Sequence, residues 1–244
     1  MTVLYGAPLS PFVRKTMLAL AHKGVEYDQV IVSPANRTED FFRISPLGKI
    51  PAYKDDRITL CDSTVICEYL EEKYPTPELF PFGAAQRART RWYEEYADTT
   101  LAEICTFKIF RNKFLKPTVL NQQPDSDQLQ KAMAEELPIA LDFLELELAD
   151  KNYFVAGILS MADLAISSQL LSLRISGIAL DLSRWPRLGS YLSRLCALDI
   201  YKAQISLEDK AIKTLREKSS GVGYFSSRYS HMTVESQSVI RSSL

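Results

Sequence analysis

Residues 47–75 read LGKIPAYKDDRITLCDSTVICEYLEEKYP, and this run orders the first part of the chain. Ile50–Tyr53 and Arg57–Leu60 flank the turn-prone pair Asp55-Asp56, which predicts a β-hairpin. Ser63–Tyr74 predicts a helix, stopped by Pro75. Pro51 enters the first strand directly after Gly48-Lys49. It suits a cis peptide, because an X-Pro bond favours trans by only about 0.5–1 kcal/mol, and it suits an ordinary turn proline as well. A cis bond would turn the Ile50 backbone outward, its N–H and C=O open to an extended peptide-like ligand. Asp62-Ser63 stands at a strand-to-helix junction. Backbone N–H groups and the Ser63 hydroxyl suit a carboxylate there, and Asp62 suits an ammonium; the plainer role of both is helix capping.

Toward the N-terminus, Val3-Leu4-Tyr5 predicts a strand and Gly6-Ala7-Pro8 a turn. Ser10-Pro11 opens a helix with serine at the N-cap and proline at the first helical position. Val13, Met17, Leu20 and Ala21 mark its apolar face, and Gly24 ends it. A serine in this place either caps the helix or points its hydroxyl, beside free N–H groups, at a bound anion. Val13 occupies the third helical position, so no capping box claims Ser10. Tyr27–Val32 reads as a strand and Thr38–Ile44 as a short helix, completing the order βαβαββα.

Pro75, Pro77, Pro81 and Gly83 have the composition of a linker. Helical stretches follow at about 84–115, 127–149, 161–176 and 186–196, with Trp92 and Trp185 expected in the core. Residues 219–244 hold nine serines and three acidic or basic residues, and do not read as part of a core.

The composition excludes several functions. With 46% hydrophobic and 24% charged residues, the chain of 244 residues is globular. Its 29 Lys plus Arg nearly cancel 30 Asp plus Glu, so no nucleic-acid partner is expected. The longest uncharged stretch, Met1–Val13, is shorter than the ~18–20 residues of a membrane span, and the N-terminus lacks the marks of a signal peptide. A soluble, cytoplasmic protein without a membrane partner is expected. Cys61, Cys67, Cys105 and Cys196 form no CxxC pair, and the two histidines, His22 and His231, are far apart. That leaves no zinc site, no Ser-His-Asp hydrolase and no dithiol reductase, and no metal is expected.

SPFVRKTMLALAHKGVEYD at 10–28 resembles the glutathione S-transferases, tau-type and omega-type sequences especially. LGKIPAY at 47–53 is similar to their cis-proline segment, and CDSTVICEYLEEKYP at 61–75 to their glutathione-headgroup helix. AGILSMADLAI at 156–166 resembles their folding signal, with Ser160-x-x-Asp163 as a variant capping box. Four motifs in order over about residues 1–210 carry the resemblance. It implies an α/β plus all-α fold: a thioredoxin-like glutathione-binding domain at 1–80, an all-helical domain at 84–218 and a serine-rich tail at 219–244, which lies over the pocket or packs on the surface.

The resemblance also implies roles. Ser10 would donate a hydrogen bond to the glutathione sulfur, Ile50 would pair with the cysteinyl backbone, and Asp62 and Ser63 would hold the γ-glutamyl end. Arg37 and Lys49 are cationic candidates for the glycyl carboxylate, with solvated surface charge as the other reading. Walls for a hydrophobic electrophile would come from Ala7, Leu9, Phe12, Ile104, Phe107 and Arg111. A homodimer is implied, with Asp98 reaching the partner's glutathione. Thiol-transferase members carry cysteine at the position of Ser10, so mixed-disulfide chemistry is disfavoured. Cys61 and Cys67 read as structural. The same fold also suits a non-catalytic binding or regulatory protein of the bacterial starvation-response type.

Overall fold

The computed structural model describes residues 1–33 and 37–220. Four strands and three helices alternate first: β1 (Val3–Tyr5), α1 (Pro11–His22), β2 (Asp28–Val30), α2 (Glu39–Ile44), β3 (Ala52–Lys54), β4 (Thr59–Cys61) and α3 (Ser63–Lys73). The sheet order is β2-β1-β3-β4, with β1 parallel to β2 and antiparallel to β3. This is the expected βαβαββα arrangement. The hairpin pairs later than expected, from Ala52 and up to Cys61, because Pro51 has no N–H to offer the ladder.

Leu4 on β1 and Val13, Leu18 and Leu20 on α1 are fully or nearly fully buried; α1 is enclosed on nearly every side, and its Val13 approaches the end of β1. Gly6 allows the approach: a Cβ there would stand 2.5 Å from Val13 Cγ2.

Helices build the remainder. α4 (Ala84–Tyr96) continues as a π-helical segment (Ala97–Leu115) into the short α5 (Lys116–Thr118). α6 (Ser126–Lys131) and a second π-helical segment (Ala132–Glu136) lead into α7 (Leu137–Leu148); α8 (Met161–Ile175), α9 (Pro186–Cys196) and α10 (Asp199–Ser220) follow. α8 is the central post of the core, buried along nearly its whole length. At its start the Asp163 carboxylate accepts from the Ser160 N–H at 2.9 Å, the Phe154 N–H at 3.0 Å and the Tyr191 hydroxyl at 3.1 Å. Burial outweighs these donors and pushes the Asp163 carboxyl up to about 6.

Two expectations need correction. Trp185 is buried, but Trp92 is 46% exposed, because it stands on the outer face of α4. α10 is a helix the sequence reading did not delimit, and it takes in the first two residues of the serine-rich segment. The rest of that segment, with His231, lies outside the described residues. Among the described residues no helix is long and apolar enough to cross a membrane.

Candidate functional site

The register gathers three segments at one end of the sheet. Tyr5 pairs with Ala52 and Ala52 with Cys61, a single cross-strand row. The chain leaves that row from Tyr5 toward Ser10, enters it through Ile50-Pro51, and leaves it again from Cys61 into Asp62-Ser63. Strands lie about 4.8 Å apart, so the three segments span roughly 10 Å in the order Ser10 side, Ile50, Ser63. The N-termini of α1 and α3 both open at this end and bring their partial positive charge with them.

Ser10 is the N-cap of α1, yet its side chain caps nothing. Its N–H donates to the Ala7 carbonyl at 3.0 Å and its carbonyl accepts from the Arg14 N–H at 2.8 Å. The half-buried hydroxyl bonds to no described residue. The Ile50-Pro51 peptide is cis, and Ile50 lies outside the paired register of β3. Asp62, at φ 86°, accepts through one carboxylate oxygen from the N–H groups of Thr64 at 2.9 Å and Val65 at 3.3 Å. It is therefore a working N-cap, with its second oxygen spare. Ser63 is buried and its hydroxyl bonds to no described residue. Arg37 and Lys49 are exposed; the Arg37 stem lies beside Gly48, where a Cβ would be 3.3 Å from Arg37 Cδ.

Of the expected pocket walls, Phe12 and Phe107 meet, with ring centroids 6.4 Å apart across the two halves of the molecule. Phe107 is 47% exposed, and Arg111, one turn on, is exposed as well. Leu9 and Ile104 are buried: Leu9 packs with Phe110, Phe114 and Ile175, and Ile104 belongs to the main core. Asp98 is engaged within its own chain, accepting from Lys15 Nζ and the Thr64 hydroxyl.

Lys15 was not singled out from the sequence. Fully buried on α1, it also donates to Glu94 at 2.8 Å and to the Thr64 hydroxyl at 3.1 Å, joining α1, α3 and the long helix beneath Ser63. Burial works against its charge, but Glu94 and Asp98 prevail and its pKa is raised. Burial pushes the thiols of Cys67 and Cys105 up to about 12, in keeping with structural cysteines. No cluster of three or more His, Cys, Asp or Glu that could hold a metal occurs among the described residues.

Residues 4–78 match the glutathione S-transferase N-terminal domain and residues 98–199 the C-terminal domain of the same family. The chain belongs to the glutathione S-transferase family. It is 31% identical to glutathione S-transferase theta-1 of Rattus norvegicus over 65% of each protein. It is 24% identical to a stringent starvation protein A homolog of Haemophilus ducreyi, over 80% of this chain and 85% of that one. The structure of a glutathione S-transferase from Rhodospirillum rubrum superimposes with a TM-score of 0.78 at 28% identity, covering 84% and 91% of the two chains. Membership supports a glutathione-dependent transferase function, with glutathione as cosubstrate.

Proposed function

We propose that the chain binds glutathione across the sheet end, ionises its thiol against Ser10 and transfers the sulfur to a small hydrophobic electrophile. The observation that carries this reading is the uncommitted Ser10 hydroxyl, at a helix N-terminus and at the same end of the sheet as Ile50 and Ser63. An extended tripeptide covers about 10 Å, the span of the three segments. Its cysteinyl backbone would pair with Ile50, its γ-glutamyl carboxylate with Ser63 and the α3 N-terminus, and its ammonium with the spare oxygen of Asp62. Arg37 and Lys49, next to Gly48, would receive the glycyl carboxylate. The Phe12–Phe107 pair and Arg111 would border the electrophile.

The energetics suffice without a general base. A thiol with an ordinary pKa near 8.5 needs roughly 2.7 kcal/mol to fall by about two units. A charge-assisted hydrogen bond from Ser10 offers ~1.5–3 kcal/mol, and the helix N-terminus ~0.3–1 more. The thiolate sulfur then forms a bond to the electrophilic carbon, and the electron pair leaves with the departing group or passes to the acceptor, which takes up a proton.

The protein would act as a cytoplasmic homodimer, with domains at 1–80 and 84–218. Supporting the dimer, Ile139 (71% exposed), Phe143 and Leu146 (75% exposed) form a stripe on α7 beside Trp92 and Tyr96 of α4. The 24% identity with the starvation protein homolog favours a second reading, a glutathione-fold protein without catalysis. A glutathione titration followed by ultraviolet thiolate absorbance separates the two. Saturable thiolate in the wild type, lost in Ser10→Ala, supports the enzyme. Binding without thiolate in either protein supports the second reading, and absence of binding sinks the glutathione reading and leaves only the fold.

A further inference from the structure

The turn that carries Ser10 is gripped by α10, from the other end of the chain. Gln204, Glu208, Ala211, Ile212 and Leu215 repeat at helical spacing and share one face of α10. Gln204 Nε2 donates to the Pro8 carbonyl at 3.4 Å and to Glu208 Oε1 at 2.9 Å. Glu208, fully buried, pairs with Arg14 Nε and, at 2.9 Å, with Arg174. Ala211, Ile212 and Leu215 pack against the cluster that Leu9 forms with Phe110, Phe114 and Ile175. Pro8 and Leu9 before Ser10, and Arg14 after it, are thus all anchored on one helix face, and Arg14 is the residue whose N–H holds the Ser10 carbonyl.

Charge makes this anchorage specific. Arg14 is 0% exposed; its Nη1 donates to the Ser168 carbonyl, and its Nη2 has no partner among the described residues. A guanidinium this deeply buried requires a carboxylate beside it, so Glu208 dictates where Arg14 and the first turn of α1 can lie. The hydrogen bond from Ser10 to a sulfur is in turn sensitive to small displacements of that turn.

We infer that Glu208 and Gln204 are positioning residues for Ser10: α10 sets the place of the α1 N-terminus, and with it the hydrogen bond offered to the glutathione sulfur. This rests on the glutathione reading above. The headgroup contacts on α3 do not involve α10, so the two can be disturbed separately.

The test uses the full chain with Glu208→Gln and, separately, Gln204→Met, which leaves the Arg14–Glu208 pair in place and decides the matter if the first variant does not fold. Three quantities are read: amide hydrogen exchange over residues 7–14 and 63–73, the apparent thiol pKa of bound glutathione, and affinity for S-methylglutathione, which has no thiol to ionise. The expected result is faster exchange confined to 7–14, a thiol pKa higher by about half to one unit, and S-methylglutathione affinity within about twofold of wild type. An unmoved thiol pKa in a folded variant overturns the positioning role, as does a parallel loss of S-methylglutathione binding. A wild type without any thiolate sinks the glutathione reading and this inference together; a wild-type signal with unmoved variants sinks the inference alone.

Discussion

At the residue scale, the first turns of α1 and α3 show two opposite solutions to the same problem. Ser10 leaves the helix N-terminus uncapped by its own side chain, whereas Asp62 caps α3. The difference leaves Ser10 with a hydroxyl to spare. Ser10→Ala is expected to lower turnover at least about tenfold at saturating glutathione; equal turnover in a folded variant would remove Ser10 from the mechanism. Asp163 yields a pH prediction. Its carboxyl is raised by burial to about 6, above the unfolded value near 3.9, so the native state holds this proton more tightly. The group's contribution is therefore complete below about pH 4 and is lost as pH rises through about 6. Stability of wild type relative to Asp163→Asn, from urea unfolding, should fall by up to about 3 kcal/mol between those limits. A rise instead would mean that the donors around Asp163 outweigh its burial.

At the element scale, the loop from α2 to β3 shows how backbone geometry serves the candidate site. Gly48 adopts φ 63°, and a Cβ there would stand 2.7 Å from the Phe42 ring. Gly48→Ala should cost about 1–2 kcal/mol of stability, from the left-handed conformation and the displaced ring. It should also weaken glutathione binding, because Lys49 and Ile50 follow directly; thermal unfolding and a binding titration would measure the two effects. α1, α3 and α9 were readable from serine, proline and apolar spacing. α10 was not, because its single buried face mixes Gln204 and Glu208 with Ala211, Ile212 and Leu215. Two polar positions interrupt that stripe, and they make sense only against the turn at Pro8–Arg14.

At the scale of the whole molecule, charged residues hold the two halves together. Lys15 with Glu94 and Asp98, and Arg14 with Glu208, join α1 to the helices that follow, where a wholly apolar seam would leave register unspecified. The outer face of α4 and α7 carries the opposite character. Trp92 stacks on Tyr96 at 5.8 Å and meets Phe143 edge-on, and all three border solvent. Trp92→Glu is expected to shift the protein toward monomer in sedimentation velocity, with secondary structure unchanged by circular dichroism. A wild type that sediments as a monomer at micromolar concentration would sink the dimer instead.

By itself the sequence determined the order of strands and helices in the first 75 residues, the turn at Ser10, the proline segment and the α3 junction, because each is written in local signals: a cap, a fixed φ, an apolar period. Only the tertiary structure decided which of these groups share one end of the sheet, since that follows from strand register. It also decided that Leu9 and Ile104 are core, that Trp92 is outside, and that Arg14 and Lys15 are buried. A charged residue beside an apolar stripe is locally indistinguishable from a solvated one. What buries it is a carboxylate supplied by a distant helix, and its position exists only once the chain has folded.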